Sequence, residues 1–245
     1  MLKNFIKKLE NFQSFTAEEI NILESYLTPV RFLNKSEDLI QEADKPYEVN
    51  ILLEGWATRY KITEAGKFQT LAFLIPGDAC DVHITLIERM DHSICAIIPS
   101  KFTSIPQHRI EEMYVDHPRL ARALFWSMLV DESTLREWIL NIAGRQADQR
   151  MAHLFCELLI RSRAAGLTSS HGFILPLTQQ QVGEAMGITP VHTSRVLTRL
   201  RTEGLISWES KFLQIHDWKR VKDFCGFDAT YLHLDRAHPS LAQDL

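Results

Sequence analysis

Between Thr178 and Leu205 the order of caps, glycines and apolar residues admits few backbone arrangements. Thr178, followed three positions later by Gln181, is a capping box that starts a helix. Val182, Ala185 and Met186 give that helix an inward face, and Gly183, lacking a side chain, lets a crossing helix come close. Gly187 stops it, because glycine enters the left-handed region without strain. Ile188 then plugs the corner. Thr189 caps a second helix with Pro190 at its first position, where no backbone N–H is needed. Val196, Leu197 and Leu200 bury the second helix against the first. Two short helices with a tight turn and a small residue at the crossing predict a helix-turn-helix. The run Leu205 to Ile215 after it reads as strand, turn, strand, a wing.

The outward face of the second helix carries Val191, His192, Ser194, Arg195, Thr198 and Arg199. Short polar groups and a guanidinium near a helix N-terminus suit a DNA groove, because Arg can bond guanine O6 and N7 together. Arg195 is therefore the expected base reader, with Ser194 and Val191 beside it. Gln180, Thr189, His192, Arg199 and Lys211 are the expected phosphate contacts, which position the protein without specifying sequence. The charge distribution agrees. The chain carries 27 basic and 31 acidic side chains, yet residues 145–220 hold 10 basic against 6 acidic while residues 1–144 hold 15 against 21. Double-stranded DNA is the expected partner of the basic segment.

Upstream, Thr16 and Glu19 cap a helix over 16–27. From about 30 to 107 the period becomes two, with strands expected near 49–53, 56–62, 68–74, 93–98 and 102–105 and a turn at Gly66. A small antiparallel sandwich or barrel follows, so the class is α+β. Over 109–142, Leu120, Leu124, Met128, Leu135, Trp138 and Ile142 recur every three or four residues, with Asp131 in the seam and Phe125, Leu129 and Ile139 widening it. That spacing predicts a long helix pairing with a twin. Asn141 to Arg145 is read as its interruption and as a linker. Met151, Leu154, Phe155, Leu158 and Leu159 mark a further amphipathic helix ending by Gly166. Asp217 caps another, and the remainder is read as a surface strap. No apolar run of about 18 residues spans a membrane, and the first ten residues lack a signal-peptide core, so a cytoplasmic protein is expected. G-x-S-x-G, H-E-x-x-H, Walker and G-x-G-x-x-G motifs are absent, and no enzyme is expected.

Together the strand-rich segment, long helix and winged helix-turn-helix resemble the Crp/Fnr family of bacterial transcription regulators over roughly residues 10–217. The resemblance is carried by Gly55, by Pro76-Gly77-Asp78 and by Gly187 through Arg195. It implies an amino-terminal antiparallel β-roll (a double-stranded, jelly-roll-like sensor) over 1–110 and a dimerisation helix with hinge over 111–144. A winged helix-turn-helix follows over 145–217, with an extension over 218–245. It also implies a homodimer reading an inverted repeat with half-sites about 34 Å apart, RNA polymerase as a partner if the protein activates, and reorientation of the reading heads about the 141–145 hinge.

The same resemblance places a sensor pocket at Gly77, Asp78, Val82, His83, His92, Ser93 and Leu135. Cyclic-AMP binders of the family present Glu to the ribose and Arg-Ser to the phosphate. Here Val82 and His92-Ser93 stand in those places, and Leu135-Arg136 replaces the small hydroxyl residues that meet adenine, so cyclic AMP is not the expected effector. The cysteine cluster of the oxygen-sensing branch is missing, so no iron–sulfur cluster is expected. Two alternatives concern the same pocket. His83 lies near the haem-ligating histidine of the carbon-monoxide-sensing branch, and Cys80, His83, His92 and Cys95 have the C-x2-H-x8-H-x2-C spacing of four metal ligands. Strand alternation would point those four to opposite faces. The favoured expectation is cysteines in the core and histidines hydrogen-bonded within the loop. A winged helix serving as a non-DNA-binding adaptor is the remaining alternative. The identity of the effector is left open.

Overall fold

The computed structural model describes residues 2–234. Helices α1 (Lys3–Leu9) and α2 (Ala17–Ser25) precede seven strands: β1 (Arg31–Leu33), β2 (Asp38–Ile40), β3 (Glu48–Glu54), β4 (Ala57–Ile62), β5 (Phe68–Leu74), β6 (Ser93–Ala96) and β7 (Ser100–Pro106). They form two antiparallel sheets, ordered β1-β7-β3 and β2-β6-β4-β5. Val49, Ile51, Phe102 and Ile105 from the first sheet meet Ala57, Leu74 and Ile94 from the second in one core. Gly66 takes φ 72° in the β4–β5 turn, as a tight reversal requires. Helix α1, which the strand-and-helix reading passed over, closes this core with Leu2, Phe5 and Leu9.

The helical segment is two helices, α3 (Gln107–Asp116) and α4 (Pro118–Gly144). His117 breaks them apart at φ −131° and ψ 59°, since the ring of Pro118 pushes its predecessor out of the helical region. The expected interruption at Asn141 lies further on. Helix α4 runs through Gly144, and the backbone becomes extended at Arg145 (φ −106°, ψ 150°). Arg145 is itself held there, by Glu137 at 2.8 Å and by the carbonyl of Cys225 at 3.1 Å.

The expected pairing seam is also redistributed. Leu120 and Leu124 are buried in the sensor core and Trp138 in the carboxy-terminal core. The apolar residues left exposed on α4 are Phe125, Leu129, Leu135, Ile139, Leu140 and Ile142, with Ile139 at 68%. Two apolar stripes run side by side on one helix, and periodicity alone does not say which is internal.

Helix α5 (Ala147–Ala164) is buried along most of its length. Its Phe155 and Leu158 share one continuous core with Trp56, Phe73 and Ile75 of the sensor and Trp208 of the wing. Strand β8 (Gly172–Ile174), helices α6 (Gln179–Ala185) and α7 (Pro190–Thr202), strands β9 (Ile206–Glu209) and β10 (Phe212–Ile215), and helix α8 (Trp218–Cys225) complete the fold. The sheet β8-β10-β9 builds the wing on a third strand.

Asp217 caps α8 by accepting from the Arg220 N–H at 2.9 Å. The extension is more than a surface strap: Leu232 and Leu234 are buried, and Ser133 on α4 donates to the Tyr231 carbonyl at 2.6 Å. Its tail beyond 234 lies outside the described residues.

A buried ionic network ties these parts together. Asp78 accepts from Lys8 of α1 at 2.6 Å, from Arg161 of α5 at 2.8 Å and from the Ile75 N–H at 2.9 Å. Arg161 also donates to Glu157 at 3.2 Å, which accepts from Trp138 of α4 at 3.0 Å and from the Tyr231 hydroxyl at 3.1 Å. Burial alone would raise the Asp78 carboxyl, but the two facing cations hold it down to about 2.

Candidate nucleic-acid interface and sensor cavity

The reading head forms by local chemistry. Thr178 Oγ1 accepts from the Gln181 N–H at 3.1 Å while Gln181 accepts from the Thr178 N–H at 2.8 Å, the reciprocal box that starts α6. Gly187 turns the chain at φ 66°, and Thr189 caps α7 with Pro190 at its head. The crossing depends on Gly183. A Cβ there would stand 2.1 Å from Thr193 Oγ1 and 3.3 Å from the Ile188 carbonyl oxygen. Thr193 is buried, β-branched and bonded through its hydroxyl to the Thr189 carbonyl at 3.0 Å, so it has little room to yield.

Alanine normally favours a helix interior over glycine by up to about 1 kcal/mol. Here the clash decides the sign. Gly183→Ala is expected to destabilise the reading head by about 1–3 kcal/mol. The check is a thermal melt together with duplex binding, and an unchanged melting temperature would contradict this account of the crossing.

Val191, His192, Ser194, Arg195, Thr198 and Arg199 are all exposed on one side of α7, Val191 at 65%, while Thr193, Val196, Leu197 and Leu200 are buried on the other. Arg195 makes no side-chain hydrogen bond or ion pair among the described residues. Lys211 stands exposed at the wing tip, where Ser210 and Lys211 both take positive φ (48° and 66°) in the two-residue β9–β10 turn. Gln180 is exposed and donates to Glu184 at 2.8 Å. Arg199 differs from the sequence expectation. It is paired with Asp148 and, at 2.8 Å, with Glu203, so two carboxylates already neutralise it. Arg201 donates to the Trp208 carbonyl at 3.2 Å and braces the wing. Asp148 and Glu203, distant in sequence or merely helical neighbours, are the partners that composition could not assign.

The second site is a cavity of about 310 Å³ between the sensor and α4, lined by Arg59, Val82, His83, His92, Asp131 and Leu135 among others. Four of the seven expected pocket residues, Val82, His83, His92 and Leu135, face it. The other three do not, which corrects the expectation. Asp78 is turned into the Lys8–Arg161 network. Gly77, at φ 98°, lies so close to α1 that a Cβ would stand 2.8 Å from the Asn4 carbonyl oxygen. Ser93 accepts from the Glu42 N–H at 2.9 Å.

Sequence reasoning missed Arg59 and Asp131. They pair across the cavity at 2.8 Å, and Arg59 also donates to the Cys80 carbonyl at 2.7 Å. The alternation around Arg59 placed it on one face of a strand, but its partner seventy-two positions away carries no local signal.

Cys80 and Cys95 are buried thiols outside the histidine group, so the four-ligand spacing does not assemble among the described residues. His83 and His92 have ring centroids 5.6 Å apart. His92 Nδ1 lies 2.8 Å from Asp91 Oδ1, a hydrogen bond within the loop as expected, while the Nε2 atoms of both histidines are buried without a partner among the described residues. Burial, and then the Arg59 charge, lower both imidazoles, His83 to about 4.

Residues 30–117 match the model of the cyclic nucleotide-binding domain, and residues 149–224 match that of the Crp-like helix-turn-helix domain. The chain is 29% identical over 204 residues to the transcriptional activator protein anr of Pseudomonas aeruginosa, covering 83% of each chain. It is 26% identical over 219 residues to the anaerobic regulatory protein of Haemophilus influenzae, covering 89% of this chain and 84% of that one. The chain belongs to the Crp/Fnr family.

This family member shares its fold with FixK2 from Bradyrhizobium japonicum at a TM-score of 0.73 and 20% identity, over 82% of this chain and 98% of that one. It is a DNA-binding transcription regulator of the Crp/Fnr type, and no described helix is long and apolar enough to cross a membrane. The cavity of this regulator does not fit a cyclic nucleotide. Its one lining guanidinium, Arg59, is engaged by Asp131 at 2.8 Å, and Glu132 is paired with Arg136 at 2.8 Å, so a phosphodiester anion finds no unpaired cation in this lining and meets the Asp91 carboxylate. Nor do the cysteines suit an iron–sulfur cluster, since Cys80 and Cys95 lie in the sensor while Cys156 and Cys225 lie on α5 and α8.

Proposed function

We propose that the regulator acts in the cytoplasm as a homodimer whose two α7 helices enter successive major grooves of an inverted repeat, under control of a small effector held in the sensor cavity. One observation carries the DNA reading. On its outward face α7 presents Arg195 with no partner among the described residues, beside Ser194 and Val191 and next to a capped helix start. In this role Arg195 bonds a guanine, Ser194 and Val191 contact adjacent base edges, and Thr189, His192, Gln180 and Lys211 hold phosphates. Arg199 stays with Asp148 and Glu203 and orients α7 against α5.

The dimer is supported by the exposed α4 stripe, since an apolar row of Phe125, Leu129, Ile139 and Ile142 is satisfied by a second copy of itself. The break at Arg145 is then the point about which the heads reorient. RNA polymerase is the further partner if the regulator activates.

Gel shifts on an inverted-repeat pool test this reading. Binding should weaken steeply with salt, and Lys211→Ala should weaken every duplex alike while reducing the salt slope by about 1 per chain. Binding that ignores salt, or a Lys211→Ala defect confined to one base pair, would contradict it.

A further inference from the structure

We propose that His83, Asp91 and His92 form a binding site for a divalent transition-metal ion, zinc or ferrous iron in class, on the sensor side of the cavity facing α4. One ligand atom from each of the three lies within 4.8 Å of the other two. Metal–nitrogen bonds of about 2.1 Å around one tetrahedral ion would hold such atoms about 3.4 Å apart, so rotamer adjustments of about 1 Å close the set.

The three residues come from two segments. His83 belongs to a 3-10 turn, Val82–Thr85, while Asp91 and His92 lead into β6. An ion held by them would staple this turn to the start of β6, an inner strand of its sheet.

Two features point to a ligand rather than to ordinary packing. His92 is 7% exposed, and among the described residues neither its Nε2 nor that of His83 has a partner. Leaving such a nitrogen buried and unsatisfied is costly, and two of them 5.6 Å apart by ring centroid have a common remedy in one electron-pair acceptor. Asp91 sits against His92 Nδ1 at 2.8 Å in the metal-free chain, and its carboxylate would turn from that nitrogen to the ion for all three residues to ligate.

The surroundings admit a cation, since Asp131 balances Arg59, Arg136 balances Glu132, and the Asp91 charge remains in the lining. Two nitrogens and one carboxylate suit first-row transition ions and not magnesium or calcium, which prefer oxygen shells. Three protein ligands leave a coordination position open toward the cavity. A water or small ligand there would lie beside Met128, Asp131 and Leu135 of α4.

The site deepens the reading of the cavity as the sensor's intake but does not depend on DNA contact, so the two fail separately. The untagged full-length chain, stripped by chelator, is titrated with Zn(II) and with Co(II). One ion per chain is expected, with a Co(II) spectrum showing d–d bands and no thiolate charge-transfer band.

His83→Gln and His92→Gln are each expected to weaken binding at least tenfold, while Cys80→Ser and Cys95→Ser leave it unchanged. Circular dichroism of the stripped variants separates loss of ligand from loss of fold. If a variant does not fold, the wild-type cobalt spectrum decides. Absence of stoichiometric binding to the wild type, binding that survives in the double histidine variant, or a thiolate band would overturn the proposal.

Discussion

Asp78→Asn is expected to lower unfolding stability by about 3–5 kcal/mol, because it removes a buried carboxylate that faces two partly buried cations. Asp78 is 2% exposed, and Lys8 and Arg161 reach it at 2.6 and 2.8 Å from α1 and α5, two helices far apart in sequence. Asn keeps the size and can still accept from the Ile75 N–H, so the loss reports the charge. Arg161 would retain Glu157, while Lys8 has no other ion pair among the described residues.

The same carboxyl sets a pH limb. Its folded value of about 2 lies below the ordinary 3.8, so its contribution is complete above about pH 4 and is lost as pH falls through 2. That limb amounts to ~2 kcal/mol and should be missing from the Asn variant. Urea midpoints at pH 7, 4 and 2.5 for both proteins check this. A loss below 1 kcal/mol at pH 7, or parallel acid limbs, would contradict the network.

Arg195→Ala has the second large effect. Each bidentate Arg–guanine contact discriminates by about 1–3 kcal/mol, and two half-sites double it to about 2–6 kcal/mol. The variant should bind its selected duplex more weakly and tolerate any base at one position of each half-site. Its affinity for duplexes already altered there should barely change. Competition binding with single-position duplex variants measures this. Equal loss on every duplex would assign Arg195 to a phosphate instead.

Much of the reading head was legible because its determinants are local. The Thr178–Gln181 box, the turn at Gly187 and the Thr189-Pro190 start are short-range stereochemistry that few tertiary contacts override. Helix α1 was equally legible, with Leu2, Phe5 and Leu9 at helical spacing, but the alternating charges drew attention away from it. Strands β1 and β2 are three residues each, too short for a period of two to register.

What the sequence could not carry are the long-range pairings. Arg199 looked like a free cation until α7 packed beside Asp148, and Asp78 looked like a pocket residue until Lys8 and Arg161 arrived from elsewhere. The histidine pair follows the same logic. Spacing grouped it with Cys80 and Cys95, whereas the loop geometry groups it with Asp91.

That paired α7 helices read duplex DNA is tested most directly by sedimentation of the chain with an inverted-repeat duplex selected from a random pool. The expected result is two chains per duplex, with protected half-sites centred about 10 base pairs apart. A single chain per duplex, or no sequence preference at low salt, would contradict it.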